Sequence, residues 1–570
     1  MVGLALVLAL VVGFRGHGGS SAAGARTASA AGAGGGVPRS DCVGVTVAAS
    51  PEKSDLLARL AARYDANRPS LDGHCVDVRV NAVLSGVAEK ALAAGWDASK
   101  DGPNPVVWSP AASSWLGILS HDTAGHDRGD PAPLVAPQLI QSPLVLAMPR
   151  PMAEALGWPH AAIGWADVLR LAQDPRGWGA YGHPQWGRFR LGKTSPVGST
   201  AGLFALLDTY YAATGVRADL TTSDVNDPRV QDFVRAVESS VLHYSGQVST
   251  FLDGLRAADA HGAGLSYVSA IATEEQQVLR YDAARPATPL VAVYPSDGTL
   301  VADHPYATLT ESWVSPDQRR AAATFLGWLL QPDQQQPFVA AGFRDHNGQA
   351  SPTLSTADGI IPAGPPVVLK LPAPAVLDEV RTSWNSLRKR ARILVVLDVS
   401  GSMQGDKIDN VRRAAATAVK AFAPDDEVGL WSFSSDVNHL DGIAPVASNG
   451  TALTTDIGTL QADGATALYR VTKEAVAEVR KGWDAERINA VMLMTDGQNE
   501  DSNNNDLGAL LDALRRQPVE RPVPVFTIGY GTDADLDTLR RISEATHGRS
   551  YNAPDPSRVE AVFADVVSNF

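Results

Sequence analysis

The sequence predicts an α/β protein made of several domains, and three observations support this. The chain has 570 residues, more than one hydrophobic core usually organises, so about three or four folding units are expected. From residue 43 to about 365, apolar β-like runs alternate with helical stretches, as in open α/β sheets with crossover helices. A second alternation of this kind begins at the apolar run Ile393–Leu397.

Composition excludes several function classes. Hydrophobic residues make up 45% of the chain and charged residues 19%, which is enough apolar material for real cores. The net charge of −14 repels phosphate backbones and anionic lipids, so we expect no nucleic-acid partner. Two cysteines are too few for a disulfide-built scaffold or a cysteine-rich metal site.

The N-terminus predicts export. Val2–Phe14 is an unbroken apolar run followed by Arg15, a length that suits a secretory signal and falls short of a full membrane span. We interpret residues 1–30 as a signal peptide or a short membrane anchor that engages the membrane during or after export. Residues 31–41 form a Gly-, Ala- and Ser-containing tether. An extracytoplasmic protein, secreted or anchored at the outer face of the cytoplasmic membrane, is expected.

The two cysteines precede two strand-like runs. Cys42 leads into Val43–Ala48 and Cys75 into Val76–Val80, with a helical stretch between them. Neighbouring parallel strands would bring the sulfur atoms together, and export permits oxidation. A Cys42–Cys75 disulfide is predicted, with two inert buried thiols as the alternative.

The first module resembles a bacterial type II solute-binding protein, in which two α/β lobes close around a small ligand. The resemblance rests on the turns that contain Ser50, Leu84-Ser85-Gly86 and Trp108-Ser109-Pro110, and on the returning segment Tyr294–Leu300. It implies a module over residues 42–368, whose first lobe comprises residues 43–141 and 290–365 and whose second lobe comprises residues 142–289.

Hydroxyl side chains at the expected helix starts are the candidate ligand contacts. Helix N-termini expose unpaired N–H groups, so nearby hydroxyls can help hold an oxyanion or another polar solute. Helix capping explains the same residues equally well. The resemblance adds the helix start at Ser199-Thr200. The candidates are Ser50, Ser85, Ser109, Ser113, Ser199 and Thr200.

One nucleotide-binding pattern is rejected on its context. Residues 187–194 satisfy GxxxxGK[ST], the pattern of a phosphate-binding loop. That loop follows a buried strand and leads directly into a helix, whereas a turn-rich stretch precedes Gly187 and Pro196 follows Thr194. We therefore expect no nucleotide site here.

The second module follows a linker and helix at residues 369–390 and carries a metal-binding pattern. The apolar run Ile393–Leu397 ends in the sequence Asp398-Val-Ser400-Gly-Ser402, which places three oxygen-bearing side chains around one tight loop. Thr466 lies in a later loop, and Asp496 follows another apolar run. Hydroxyl and carboxylate oxygens suit a hard cation.

Together these residues resemble the metal-ion-dependent adhesion site of von Willebrand factor A domains. The resemblance implies a doubly wound, Rossmann-like domain over residues 391–570 with Mg²⁺ or Mn²⁺ as its cation. It also implies that an open coordination position accepts a carboxylate from a partner protein. Aspartates that merely cap helices are the alternative. The five matching positions are Asp398, Ser400, Ser402, Thr466 and Asp496.

Two functions remain open at this point. The first is an exported binding protein that combines capture of a small solute with Mg²⁺-dependent protein–protein interaction. The second is an adhesive or scaffolding protein whose first module no longer binds a ligand. We expect no catalytic residues, because the sequence contains neither HExxH nor a serine nucleophile elbow after a strand.

Overall fold

The computed structural model describes residues 37–570 except 126–128, 519 and 556–558. The predicted signal or anchor, and the tether as far as residue 36, lie outside the described residues. Within the described residues, every helix is too short or too polar to cross a bilayer.

The first module alternates strands and helices, as its sequence predicts. Its strands are β1 Val43–Ala49, β2 Ser70–Leu71, β3 His74–Ala82, β4 Val107–Ser109, β5 Ser142–Pro149, β6 Leu191–Gly192, β7 Ala270–Glu274, β8 Leu290–Val293, β9 Val301–Ala302 and β10 Ala307–Thr308. Its helices are α1 Pro51–Ala66, α2 Ser85–Ala94, α3 Ser114–Asp122, α4 Arg150–Ala155, α5 Trp165–Gln173, α6 Thr200–Thr214, α7 Thr222–Val225, α8 Pro228–Glu238, α9 Ser249–Asp259, α10 Gly264–Tyr267, α11 Glu275–Asp282, α12 Pro316–Leu329 and α13 Pro332–Ala340.

The first lobe is built on a sheet with the strand order β10-β4-β1-β3-β2. Strands β1, β3 and β4 are parallel, and the register pairs Val43 with Val76. This register places the two preceding cysteines side by side, and they form a disulfide with an S–S distance of 2.04 Å. The helix α1 connects the paired strands β1 and β3 as a crossover.

The second lobe is built on a sheet with the strand order β6-β7-β5-β8, and β9 also pairs with β5. The position of β8 differs from the lobe boundary predicted at residue 290. Because Leu290–Val293 is a fully buried apolar strand, it pairs antiparallel with β5 and completes the second sheet. The chain rejoins the first sheet only at β10, through the pair Ala307–Trp108.

The second module is a single doubly wound sheet. Its strands are β11 Arg390–Asp398, β12 Glu427–Phe433, β13 Val437–Pro445, β14 Arg487–Thr495, β15 Val525–Tyr530 and β16 Ser550–Ala553. The order is β13-β12-β11-β14-β15-β16, with β13 antiparallel and the other strands parallel. The helix α14 Pro374–Leu387 precedes this sheet, and the helices that follow are α15 Asp406–Ala421, α16 Val446–Thr459, α17 Leu468–Lys481, α18 Leu507–Arg515, α19 Leu536–Ala545 and α20 Val559–Val567.

The modules share one continuous hydrophobic core. The backbone N–H of Tyr244 in the second lobe donates to the carbonyl of Asn569 at 2.9 Å. The ring of Tyr244 packs edge-to-face on Trp384 of α14 with a centroid distance of 5.0 Å. Side chains buried on both sides of this junction join the second module directly to the second lobe.

Candidate metal centre and interlobe cleft

The predicted metal ligands lie where two neighbouring strands end. Strand β11 ends at Asp398 and the parallel strand β14 ends at Thr495, directly before Asp496. A tight 3₁₀ turn, Gly401–Met403, follows β11 and exposes the Ser402 side chain. Since the carboxyl ends of parallel strands meet at one edge of a sheet, the two loops face each other there.

Hydrogen bonds join four of the five predicted ligands. The Ser400 and Ser402 hydroxyl oxygens are 3.0 Å apart, and the Ser402 hydroxyl donates to Asp496 Oδ1 at 2.6 Å. Asp398 Oδ1 accepts from the backbone N–H of Ser400 at 2.7 Å, and its Oδ2 accepts from the Thr495 hydroxyl. The two carboxylates and two serines therefore form one oxygen-rich cluster.

Thr466 reaches the same cluster from the loop before α17. A Cβ atom added to Gly497 would lie 3.4 Å from Thr466 Oγ1 and 3.9 Å from Ser402 Oγ. Both hydroxyls thus border the space that glycine leaves open. Glu500 holds this loop, because its carboxylate accepts from the Thr466 N–H at 3.1 Å and its own N–H donates to the Thr466 carbonyl at 2.8 Å.

One charged residue at this edge, Lys407, was missed by the sequence analysis. The Lys407 ammonium, in the first turn of α15, donates to Asp496 Oδ2 at 2.5 Å. Asp496 is fully buried, whereas Lys407 is about one quarter exposed. Burial raises the pKa of Asp398 to about 6. A lysine five residues after Ser402, at the start of the helix that follows the motif, was the available signal.

The candidate site fits a hard divalent cation. Three hydroxyl oxygens and two carboxylates lie at this edge of the sheet, without a sulfur or imidazole ligand among the predicted five. This donor set suits Mg²⁺ or Mn²⁺ better than a soft transition metal.

The candidate solute contacts lie near the junction of the two lobes, and three of their hydroxyls make hydrogen bonds to protein atoms. The Ser50 hydroxyl accepts from the Lys53 ammonium at 2.7 Å. The Ser85 hydroxyl accepts from the Ala111 N–H at 3.1 Å, and the Ser109 hydroxyl donates to the Pro305 carbonyl at 2.7 Å. All three serines are at most 3% exposed.

The remaining candidates make different kinds of contact: Thr200 joins the two lobes, whereas the Ser199 contact lies within the second lobe. The Thr200 hydroxyl of the second lobe accepts from the Trp115 indole N–H of the first lobe at 2.8 Å. The Ser199 hydroxyl accepts from Thr194 at 2.9 Å, and the Ser113 backbone N–H donates to Asp303 at 2.7 Å. The side chains of Ser50, Ser113 and Ser199 make no helix-capping hydrogen bond.

Lys53 is the residue of this cleft that the sequence analysis missed. Its buried ammonium also donates to the carbonyls of Ser109 and Pro110 at 2.8 and 3.0 Å, and it lies 3.2 Å from His304 Nδ1. Burial lowers the pKa of Lys53 to about 7 and raises the pKa of Glu274, across the cleft, to about 8. Its position one helical turn after Ser50 was the only signal.

Lys193, the lysine of the rejected phosphate-loop pattern, has a structural role. Lys193 follows the short strand β6, is 1% exposed and forms a buried ion pair with Glu238. The Tyr244 hydroxyl donates to the other oxygen of Glu238 at 2.6 Å. The lysine of the pattern is therefore committed to the core next to the junction of the modules.

Two family models match the chain. A model described as bacterial extracellular solute-binding protein matches residues 45–344, and a model described as von Willebrand factor type A domain matches residues 393–565. The two matches cover the two modules separated above and support the same order along the chain.

Relatives match the chain at low identity. An uncharacterized protein of Mycobacterium tuberculosis is 25% identical over 548 residues, which cover 90% of this chain and 75% of the relative. An uncharacterized protein of Synechocystis is 28% identical over 174 residues, covering 30% of this chain and 39% of the relative. A UPF0353 protein of Mycobacterium leprae is 26% identical over 204 residues, covering 31% and 60%.

Solved structures overlap with the chain over about a third of its length. A von Willebrand factor type A structure from Catenulispora acidiphila is 19% identical and covers 32% of this chain and 42% of that chain, with a TM-score of 0.29. An aerotolerance-related membrane protein from Bacteroides fragilis is 15% identical and covers 32% and 100%, with a TM-score of 0.26. At these TM-scores the likeness adds nothing to the strand order described above.

Proposed function

The chain belongs to the bacterial extracellular solute-binding family and carries a von Willebrand factor type A domain, and from this premise we propose that it is an exported, metal-dependent protein-interaction protein. The convergence of Asp398, Ser400, Ser402, Thr466 and Asp496 at one sheet edge carries the proposal. Both modules are typical of binding proteins rather than of catalysts.

The five converging side chains would hold Mg²⁺ or Mn²⁺. A cation bound there would supply a Lewis-acidic position for a carboxylate of a partner protein. Ser402 is exposed at the sheet edge, and the loop Asp501–Asp506 beside it is also largely exposed. A partner would therefore approach the cluster from the side on which Ser402 is exposed.

The first module acts in this proposal as a rigid support for the second. Lys53 lies among the helix starts at which the resemblance implies a solute, because its ammonium binds Ser50 and the carbonyls of Ser109 and Pro110. Five of the six candidate hydroxyls bind protein atoms, so a solute would have to replace existing hydrogen bonds. This arrangement favours the scaffolding hypothesis over solute capture.

Solute capture is the second candidate function. It is favoured by the convergence of hydroxyls from both lobes on the same junction, as shown by the Trp115–Thr200 contact. A solute would enter only if the lobes separated and Lys53 moved away from Ser50 and the two carbonyls.

Extracytoplasmic location follows from the family and is consistent with the Cys42–Cys75 disulfide. We propose that the N-terminal apolar run either directs secretion or anchors the protein at the outer face of the cytoplasmic membrane. Labelling of intact cells with an impermeant lysine reagent would locate the two modules.

The metal site is tested by titrating the purified, chelator-treated protein with Mg²⁺ and Mn²⁺ in a calorimeter. We expect one site per chain, and we expect Asp398→Ala to weaken binding at least about tenfold, because it removes a buried carboxylate from the donor set. Asp436→Asn is the matched control, since its carboxylate is 88% exposed in the same module. Unchanged affinity in Asp398→Ala would contradict the proposal.

The partner chemistry is tested with Mn²⁺ bound to the protein. Glutarate, a simple dicarboxylate, should displace metal-bound water and lower the enhancement of water-proton relaxation by Mn²⁺. Glutaramide, its uncharged analogue, should leave the relaxation unchanged. Equal effects of the two compounds would argue against a coordination position that accepts carboxylates.

A further inference from the structure

A second group of side chains that can bind a metal lies between the first lobe and α14, outside the candidate metal centre. His121 and Asp122 are the last two residues of α3, and Asp378 lies in the first half of α14. One potential ligand atom of each residue lies within 4.8 Å of those of the other two. An imidazole and two carboxylates thus meet where the first lobe contacts the helix that leads into the second module.

The separation between His121 and Asp378 fits two ligands of one ion better than a direct hydrogen bond. His121 Nε2 and Asp378 Oδ2 are 3.8 Å apart, which is beyond the range of a hydrogen bond. Two atoms that each bind one tetrahedral Zn²⁺ at about 2.1 Å are about 3.4 Å apart. A small rotation of either side chain would therefore bring both atoms to the same cation.

Arg381 binds one oxygen of each carboxylate. Its guanidinium donates to Asp122 Oδ2 at 2.9 Å, and its Nε donates to Asp378 Oδ1 at 3.1 Å. These bonds do not use Asp122 Oδ1 or Asp378 Oδ2, and Oδ2 is the oxygen of Asp378 that lies near His121. Outer hydrogen bonds of this kind orient the carboxylates that ligate metals.

Negative charge is in excess at this position. The guanidinium of Arg381 serves three carboxyl groups, because its Nη1 also donates to Glu89 Oε2 at 3.3 Å. Glu89 is 0% exposed and adjoins Asp122, and its other oxygen, Oε1, has no hydrogen-bond partner. The nearby Lys90 is exposed to water, which screens its charge. Three carboxyl groups around one largely buried guanidinium favour a further cation.

The three ligand side chains reach solvent, so an ion can enter from outside. His121 is 40% exposed, Asp122 27% and Asp378 26%. Water can therefore complete the coordination shell on the open side. Glu89, which is sealed from water, contributes charge rather than a coordinating atom.

We propose that His121, Asp122 and Asp378 bind one Zn²⁺ ion that joins α14 to the first lobe. Zn²⁺ accepts imidazole and carboxylate ligands together, and three protein ligands plus water satisfy its coordination. The nitrogen ligand favours Zn²⁺ over Mg²⁺, which prefers oxygen alone. The inference goes beyond the proposed interaction function, since none of these residues belongs to the candidate metal centre.

Calorimetric titration of the chelator-treated, tag-free chain with Zn²⁺ tests the proposal. In an excess of Mg²⁺, which fills the candidate metal centre, we expect one equivalent of Zn²⁺ to bind. His121→Asn should weaken this binding at least about tenfold, because it removes the nitrogen ligand. His74→Asn, at an exposed histidine of the same lobe, should change it less than about twofold. Absence of saturable Zn²⁺ binding, or equal affinity in His121→Asn and the wild type, would overturn the proposal.

Asp398→Ala separates this site from the candidate metal centre. In an excess of Mg²⁺, the substitution should leave the affinity for Zn²⁺ unchanged, so failure of one site is distinguishable from failure of the other. Loss of the Zn²⁺ equivalent in Asp398→Ala would place the ion at the candidate metal centre and overturn the assignment.

Hydrogen exchange tests the link between α14 and the first lobe. Zn²⁺ should slow amide exchange in α14 of the wild type, because a bound ion stabilises the contact that it bridges. Asp378→Asn should abolish the slowing, whereas Asp317→Asn, at a 59% exposed carboxylate of the first lobe, should retain it. Unchanged exchange in the wild type, or slowing of equal size in Asp378→Asn, would contradict the proposal.

Discussion

At the candidate metal centre, the ammonium of Lys407 lies next to the carboxylate of Asp496, which is one of the predicted ligands of the cation. Its ammonium contacts Asp496 Oδ2, whereas the Ser402 hydroxyl occupies Oδ1. A divalent cation bound to Asp496 would be repelled by this nearby ammonium. We therefore predict that Lys407 weakens the binding of a cation at this site.

Replacing Lys407 by methionine should strengthen Mg²⁺ binding several-fold, because the competing charge is removed while the length of the side chain is kept. Calorimetry checks this. Lys420→Met, at the exposed end of the same helix, controls for the change in net charge. Weaker binding in Lys407→Met would show instead that the ammonium orients Asp496 for the metal.

Lys53 is the corresponding residue of the interlobe cleft. It supplies donors to one hydroxyl and two carbonyls that are otherwise sealed from water. Lys53→Met should lower the free energy of unfolding by about 2–4 kcal/mol, because the buried Ser50 hydroxyl and Pro110 carbonyl lose the donor that Lys53 supplies. Urea denaturation measures the change. Lys100→Met, whose side chain is 80% exposed, should have almost no effect.

Among the elements, α14 lies in the segment 369–390 that the sequence predicts as a linker and helix. In the structure this helix contacts both lobes. Its Arg381 binds Asp122 at 2.9 Å and Glu89 at 3.3 Å in the first lobe. Its Ser383 hydroxyl lies 2.8 Å from the Tyr210 hydroxyl of the second lobe. The helical spacing predicted the element, but the sequence carries no pattern that identifies these distant partners.

Arg381→Met should weaken the contact between α14 and the first lobe. Burial and the nearby Asp122 raise the pKa of Glu89 to about 7, and without Arg381 the buried carboxyl loses its partner. We expect a loss of about 2–3 kcal/mol in the free energy of unfolding and faster hydrogen exchange in α14. Arg229→Met, a 92% exposed guanidinium, is the control. Unchanged exchange would mean that apolar packing alone holds the helix.

For the whole molecule, the buried His243 and the half-buried His547 mark the junction of the modules. His243 of the second lobe stacks on Phe251 and meets Phe526 of β15 edge-to-face, with centroid distances of 4.8 and 5.4 Å. His547 of the second module lies 5.2 Å from Tyr267. Burial lowers the pKa of both imidazoles to about 4.

Acid should therefore weaken the junction. Since each folded-state pKa lies below the unfolded value of about 6.5, each imidazole stabilises the fold fully above that pH and loses its contribution as the pH falls toward 4. The loss approaches about 3 kcal/mol per histidine at pH 4. Urea denaturation at several pH values measures it. In the double variant His243→Phe, His547→Phe, the free energy of unfolding should fall less steeply as the pH is lowered. Equal slopes for the variant and the wild type would contradict the role assigned to the two histidines.

The sequence by itself determined the order of the modules and the metal motif and predicted the pairing of the cysteines, because each depends on local patterns. Asp398, Ser400 and Ser402 lie in one loop at the end of one apolar strand, and two cysteines before parallel strands leave little choice of partner. Periodicity reports which segments are strands and helices, and these local signals survive without knowledge of the fold.

Only the tertiary structure decided what surrounds these residues. The burial of Lys53 against Ser109 and Pro110 and the transfer of β8 to the second sheet both depend on contacts between segments far apart in the chain. Such contacts are set by the packing of whole elements, and burial then determines which charges are paired and which acceptors remain without donors. A single sequence contains the residues for these contacts without indicating which of them meet.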